Sequence, residues 1–123
     1  MACFSNIIQV YKESNCGDFN LWIALNNSFL SIVENRNDSS ELLVRARVKG
    51  DIERVFPETK TFEDLSADYR YRALIKRDLV AKALASQVSE INYDNFKNSI
   101  SKDEYQRHNA YLKVWGNLRT LQD

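Results

Sequence analysis

Two segments of the chain alternate apolar and polar residues, as a half-buried β-strand does. Residues 43–48 place Val44, Ala46 and Val48 on one face, with Arg45 and Arg47 on the other. Residues 68–75 alternate in the same way, with Tyr69, Tyr71, Ala73 and Ile75 on one face and Arg70, Arg72 and Leu74 on the other. Each pattern predicts a strand that has one buried face and one cationic face.

Earlier in the chain, a short polar linker joins two runs rich in β-branched and aromatic residues. The runs are residues 21–25 and 29–33, and the linker is Asn26-Asn27-Ser28. Because asparagine tolerates the left-handed backbone of tight hairpin turns, this pattern predicts a β-hairpin. Residues 5–13 carry a short apolar face that fits a helix and, nearly as well, a strand.

Helical periodicity replaces this alternation in the second half of the chain. From Asp78 to Ile91 the apolar residues recur along one broad stripe, which predicts an amphipathic helix. Ser101 and Glu104 have the spacing of a capping box, so they predict the start of a final helix that ends at Leu121.

Shorter elements connect these segments. Asp51 is expected to cap a short helix that Pro57 ends, and residues 58–67 are expected to form a loop with Phe62 and Leu65 turned inward. A further helical turn is expected at residues 92–100. The order of elements predicts one α+β domain over residues 1–123, an antiparallel sheet of about four strands with two or three helices packed on one side.

Charge and cysteine content narrow the functional classes. Lys+Arg and Asp+Glu each number 17, so the formal net charge is zero, which argues against non-specific coating of DNA and leaves a local anion site open. Cys3 and Cys16 lack the spacing of a metal or redox motif, so two reduced cysteines are expected. With no signal-like segment and no long apolar run, we expect a cytoplasmic protein without membrane contact.

The sequence contains few of the residue patterns that enzymes use. The three glycines are isolated from each other, so no phosphate loop or nucleophile elbow is formed. His108 is the only histidine, and no motif supplies it with a nucleophile or an orienting group. Acidic pairs such as Glu63-Asp64 are adjacent and diverge on a regular element. We therefore expect no catalytic residue, no metal site and no cofactor.

The arginines on the two alternating segments are the strongest candidate site. If the two strands pair, Arg45, Arg47, Arg70 and Arg72 share one surface, and like charges opposite each other destabilise a sheet. One interpretation is that local carboxylates pair with them, namely those of Glu34, Glu41, Glu53 or Glu58. The other is an external anion, either a phosphate-bearing or nucleotide ligand or an acidic protein partner. Tyr69 and Tyr71 are expected in the core, on the opposite face.

The final helix presents an apolar stripe wider than docking on a sheet requires. Its residues include Tyr111, Val114, Trp115 and Leu118, which predict the interface of a homodimer or larger homo-oligomer. The alternative is that a small curled sheet covers the whole stripe and leaves a monomer.

Four blocks of the chain resemble a family of short uncharacterised proteins from bacterial and phage genomes. The blocks are LLVRARVKGDIERVFP at 42–57, ADYRYRA at 67–73, YDNFK at 93–97 and RHNAYLKVW at 107–115. The resemblance covers about residues 29–121 and implies a bacterial or phage origin. It implies no activity and assigns no site residue.

These observations favour a non-enzymatic binding protein over two other classes. It would act by stoichiometric contact with an anionic ligand or a protein partner, as a phage-type inhibitor or sequestering protein does. The first alternative is a small enzyme acting on a nucleotide or RNA phosphodiester, with Arg70 and Arg72 holding phosphate and His108 or Tyr71 transferring a proton. The second is a structural or assembly component, whose exposed surface would be apolar instead of cationic.

Overall fold

Five antiparallel strands form one sheet, in the order β1-β2-β3-β5-β4, in the computed structural model of the protein. The structure describes residues 20–122, so the element predicted at residues 5–13 and both cysteines lie outside the described residues. The strands are β1 (Leu21–Leu25), β2 (Ser28–Glu34), β3 (Glu41–Ala46), β4 (Phe62–Glu63) and β5 (Tyr71–Lys76). The predicted α+β class with an antiparallel sheet is confirmed.

Four α-helices accompany the sheet within residues 20–122. They are α1 (Asp51–Val55), α2 (Arg77–Ser89), α3 (Phe96–Ser99) and α4 (Tyr105–Leu118), with single 3₁₀ turns at Lys102–Glu104 and Arg119–Leu121. None of the helices in this part of the chain has the length and apolar character needed to cross a membrane.

The core lies on one face of the sheet because the strand register aligns the apolar positions. Ile32 of β2 is opposite Val44 of β3, and Val44 is opposite Ala73 of β5. Helices α1 and α2 cover this face through Ile52 and Val80, which are both buried in the same cluster. This face therefore contains Val44, Ala46, Tyr71, Ala73 and Ile75, as the alternation predicted. The alternation was wrong for Val48, because β3 ends at Ala46 and the Val48 side chain is exposed.

Helix α4 is anchored mainly by polar contacts at the turn between β1 and β2. The buried carboxylate of Asp51 accepts hydrogen bonds from both Nη atoms of Arg107, at 3.1 and 2.8 Å, and from the backbone N–H of Phe29 at 2.9 Å. The Tyr111 hydroxyl lies 2.9 Å from the carbonyl oxygen of Leu25 and 3.1 Å from that of Ser28. These contacts join α4 and the start of α1 to the hairpin.

Asp51 does not cap α1, contrary to the expectation. The cap position is Gly50, whose φ of 94° is a left-handed conformation that glycine adopts without strain, and no side chain caps this helix. Because the helix begins at Asp51, its carboxylate is free to reach β2 and α4. The residue that a local pattern marked as a cap is instead the centre of a buried ion pair.

Two other local predictions were wrong. Residues 62–63 form the edge strand β4, and Phe62 and Leu65 are both exposed rather than turned inward. At the start of the final helix, the Ser101 hydroxyl accepts a hydrogen bond from Asp103 N, but Glu104 bonds Arg107 Nε at 2.8 Å instead of completing the capping box. Arg107, on the next turn, offers Glu104 a charged partner. A charge-assisted hydrogen bond is stronger than the bond to a neutral backbone N–H that a capping box requires.

Candidate anion-binding site

One row of residues crosses all five strands on the sheet face opposite the core. The register pairs Trp22 with Ser31, Ser31 with Arg45, Arg45 with Arg72 and Arg72 with Phe62. From edge to edge, the row reads Trp22, Ser31, Arg45, Arg72 and Phe62. Two arginines therefore lie directly opposite each other at the centre of this face, with an aromatic residue at each end.

Arg45 is a buried cation whose hydrogen-bonding capacity is only partly used. Arg45 is 8% exposed, and its Nη2 donates a hydrogen bond to the Ser31 hydroxyl at 2.8 Å. The Nε atom is buried and has no hydrogen-bond partner in the described part of the chain. Burial lowers the pKa of Arg45, and the positive charge of Arg72 lowers this pKa further. Arginine still keeps its charge at neutral pH because its ordinary pKa is above about 12.

Tyr69 is buried, and its ring contacts two of these cations. The guanidinium carbons of Arg45 and Arg47 lie 4.8 and 4.1 Å from the centre of its ring, the geometry of a cation–π contact. The expectation that Tyr69 would lie on the face opposite the arginines was wrong. β5 begins only at Tyr71, so strand alternation does not extend to Tyr69, whose buried ring packs on the arginine side.

Backbone carbonyl groups, and not carboxylates, orient the remaining two arginines. Arg47 Nη1 donates to the carbonyl oxygen of Asp68 at 2.8 Å, and Arg72 Nε donates to that of Tyr69 at 3.0 Å. The other N–H groups of these two guanidiniums make no hydrogen bond to residues 20–122. Arg45, Arg47 and Arg72 are called the arginine cluster below.

Three of the four carboxylates expected to neutralise the arginines have other partners. Glu34 pairs with Arg77 at 2.7 Å, and Glu41 lies 3.8 Å from Lys76. Glu53 accepts a hydrogen bond from Thr61. Within the described part of the chain, no carboxylate lies within 4.0 Å of a nitrogen of the arginine cluster. The sequence left two interpretations open, pairing with local carboxylates or binding of an external anion. Pairing with local carboxylates is therefore absent at Arg45, Arg47 and Arg72 within the described residues.

Arg70 is not part of the cluster. Its Nε lies 3.2 Å from the carboxylate of Glu63, and its guanidinium carbon lies 5.6 Å from the ring centre of Tyr71. Both members of this ion pair are about half exposed, so the pair is of the ordinary surface kind. The partner Glu63 lies on β4, a strand that the sequence did not predict. Three of the four candidate arginines are thus brought together, and the fourth is neutralised.

The two aromatic residues at the ends of the row are open to solvent. Trp22 is 61% exposed and Phe62 is 48% exposed. Trp22 also contacts Phe29 edge to face, with ring centres 6.0 Å apart. Sequence reasoning missed both residues as site candidates, because only the register of β1 and β4 shows that they share a row with the arginines.

A cavity of about 580 Å³ adjoins this face, between α4 and the first turn of α1. Its lining includes Phe29, Arg47, Ala110 and Val114, and the Asp51–Arg107 pair lies at its wall. Burial alone would lower the pKa of Arg107, but its hydrogen bonds to Asp51 and Glu104 raise that pKa overall. Since every nitrogen of the Arg107 guanidinium has a partner, this pair offers little to an external anion. Among residues 20–122, the buried polar side-chain atoms without a hydrogen-bond partner are Arg45 Nε, in the arginine cluster, and Ser28 Oγ, at the start of β2.

The predicted interface residues on α4 divide into two groups. Val114, Trp115 and Leu118 are exposed, whereas Tyr111 is half buried and its hydroxyl bonds the hairpin backbone. Lys97 and Arg119 lie over the Trp115 ring at 5.1 and 5.3 Å. Self-association through the exposed residues stays a prediction.

The residues proposed for proton transfer in the enzymatic alternative do not lie with the arginine cluster. Tyr71 packs against the core on the face of β5 opposite to Arg72, since consecutive strand residues point to opposite faces. His108 is a half-buried residue of α4. Within residues 20–122, no three His, Cys, Asp or Glu side chains are grouped as metal ligands would be.

No protein family, curated protein or solved structure matches this chain. The resemblance to short bacterial and phage proteins therefore stays an expectation, and the geometry of the arginine cluster carries the functional interpretation.

Proposed function

We propose that the protein acts by stoichiometric binding of a phosphate-bearing ligand on the arginine cluster. The observation that carries the proposal is the gathering of Arg45, Arg47 and Arg72. No carboxylate of residues 20–122 lies within 4.0 Å of their nitrogens, and no residue in that range accepts a hydrogen bond from the buried Nε of Arg45. Guanidinium groups suit phosphate because they donate two parallel hydrogen bonds to its oxygens.

The energetics of the sheet support this proposal. Arg45 and Arg72 are directly opposite on adjacent strands, and cross-strand like charges destabilise a sheet by roughly 0.2–1 kcal/mol. The Tyr69 ring, the backbone carbonyls, and the charges of Asp68 near Arg45 and of Asp64 near Arg72 offset part of this repulsion. A bound anion would remove it, so binding and folding stability are expected to rise together.

The three arginines have different roles in the proposed site. Arg45 is too buried to reach far from the sheet, so it supplies positive charge from beneath the ligand. Arg47 and Arg72 have N–H groups that make no hydrogen bond to residues 20–122, so these groups supply the direct hydrogen bonds to the ligand. A phosphate group carries more negative charge than a carboxylate and has three acceptor oxygens, which matches several converging cations.

Thermal unfolding with inorganic phosphate, pyrophosphate and nucleoside triphosphates tests the proposal. A ligand present at 100 times its Kd stabilises the protein by about 2.7 kcal/mol. We expect at least one of these compounds to raise the Tm of the wild-type protein, and Arg47→Gln combined with Arg72→Gln to abolish the rise. Arg70→Gln is the matched control, because it removes a nearby arginine that is already paired with Glu63.

Two results would overturn the proposal. One is a wild-type Tm that none of these compounds changes. The other is a Tm rise that the double variant keeps and Arg70→Gln loses, which would place the anion outside the arginine cluster.

A further inference from the structure

We infer that the phosphate-bearing ligand is a single-stranded nucleic acid, with phosphates on the arginine cluster and bases stacked on Trp22 and Phe62. This inference rests on the proposed function, because it uses the same arginines. It adds the aromatic ends of the row, which an inorganic anion does not need.

The dimensions of the row fit a linear ligand better than a compact one. Trp22 and Phe62 are separated by four strand spacings, with the opposed pair Arg45 and Arg72 in the middle. Adjacent strands are about 4.8 Å apart, so the two rings lie about 19 Å from each other along the row. A single mononucleotide cannot reach both rings and the arginines at once, whereas a short strand can.

The row combines the two kinds of contact that a single strand needs. A nucleic-acid strand presents phosphates along one edge and flat bases along the other, and unpaired bases stack on aromatic side chains. Trp22 and Phe62 offer exposed rings at the two ends of the row. Arg72 within the row, and Arg47 two residues along the chain from Arg45, have N–H groups that make no hydrogen bond to residues 20–122. A double helix keeps its bases stacked inside, so it would use the arginines and leave the rings without a partner.

The neutral net charge is compatible with this ligand. With three arginines as the phosphate contacts, the logarithm of the affinity should fall with the logarithm of salt concentration with a slope of about −2, because each contact to a single strand contributes about −0.7. Such a slope is shallow compared with that of proteins that coat DNA. The interaction is local, and stacking carries the part of the affinity that salt does not weaken.

An acidic peptide is the competing macromolecule, and the row favours it less. Carboxylates would satisfy the arginine cluster, but an acidic segment has no flat group of its own at the spacing of Trp22 and Phe62. A peptide that added to the sheet edge would use the backbone of β1 or β4 instead of the face. Peptide binding is therefore an outcome that the test must separate.

The test is fluorescence anisotropy of labelled oligouridine and oligothymidine of about eight nucleotides, within the range of about 4–16 that single-strand sites cover. We expect both oligomers to bind wild-type protein, and a duplex and an oligoglutamate of equal length to bind more weakly. Trp22→Ala and Phe62→Ala should each weaken binding about fivefold or more, whereas Trp22→Phe should keep most of the affinity. Val88→Ala is the control and should change nothing, because Val88 is an exposed apolar residue of α2, which packs on the opposite face of the sheet.

The outcomes separate this inference from the proposed function. If pyrophosphate binds through Arg47 and Arg72, but the oligomers bind no more tightly than pyrophosphate and Trp22→Ala leaves their affinity unchanged, the ligand is not a single strand. The anion site itself then stands. If oligoglutamate binds more tightly than either oligomer, the partner is an acidic protein. If neither pyrophosphate nor any oligomer binds, both proposals fail together. A difference between the two oligomers identifies RNA or DNA as the source of the strand.

Discussion

Replacing Arg107 with alanine should destabilise the protein far more than replacing Arg54, although both arginines contact the same carboxylate oxygen. Arg107 Nη2 and Arg54 Nη1 each lie 2.8 Å from Oδ1 of Asp51. They differ in solvent access, because the side chain of Arg107 is 7% exposed and that of Arg54 is 43% exposed. Arg107 also donates through both Nη atoms to Asp51, whereas Arg54 donates through one. The pair of variants therefore compares a buried two-bond contact with an exposed single contact to the same carboxylate.

The magnitude follows from what each variant leaves behind. Removing one partner of a buried ion pair costs about 3–5 kcal/mol, because the remaining charge stays desolvated. Without Arg107, Asp51 keeps hydrogen bonds from Phe29 N and Arg54, so we expect a loss of about 3 kcal/mol, near the lower end. Arg54→Ala removes a solvent-screened contact and should cost at most about 1 kcal/mol.

Urea unfolding followed by circular dichroism measures both losses. A double-mutant cycle with Asp51→Ala isolates the interaction energy, which should be large for Arg107 and small for Arg54. If Arg107→Ala costs no more than Arg54→Ala, the buried pair does not hold α4 to the hairpin, and the account of how this helix is anchored is wrong.

Three further predictions concern single positions. Gly50→Ala should destabilise the protein by about 1 kcal/mol or more because of the positive φ at this position. Gly116→Ala, in open space on α4, should stabilise it by up to about 1 kcal/mol. The urea midpoint should therefore fall for the first variant and rise for the second. Burial raises the pKa of Tyr111, so stability should fall as the pH rises above about 10, and Tyr111→Phe should remove this part of the loss in unfolding measured against pH. If the exposed end of α4 is an interface, light scattering should give a dimer mass for the wild type and a monomer mass for Leu118→Asp; a wild-type monomer at every concentration refutes it.

Elements defined by local periodicity could be predicted from the sequence. The hairpin of β1 and β2 was expected from an Asn-Asn linker between apolar runs, and its register is the antiparallel one expected. β3 and α2 were expected for the same reason, since each has a consistent period of two or of 3.6. A periodic pattern depends on neighbours in sequence, which the chain itself provides.

Features that depend on distant contacts could not be predicted. Asp51 has the local signature of a helix cap, and only the arrival of Arg107 from a position 56 residues away makes it an ion-pair centre. The two-residue strand β4 is too short for a pattern, yet it brings Glu63 to Arg70 and removes that arginine from the cluster. The alternation put Arg45 and Arg72 on one surface on the condition that their strands pair, and β3 and β5 do pair, with Arg45 opposite Arg72.

The central claim, that the arginine cluster binds phosphate, is tested most directly by following arginine Nε–H signals by NMR during a pyrophosphate titration. The buried Nε of Arg45 has no partner among residues 20–122, and that of Arg72 donates to a carbonyl oxygen, so both signals are expected to report on a nearby anion. We expect the Arg45 and Arg72 signals to shift together and saturate, while those of Arg70 and Arg107, which are paired with carboxylates, stay unchanged. Signals of Arg45 and Arg72 that do not move at saturating pyrophosphate, or a shift confined to Arg70, would contradict the claim.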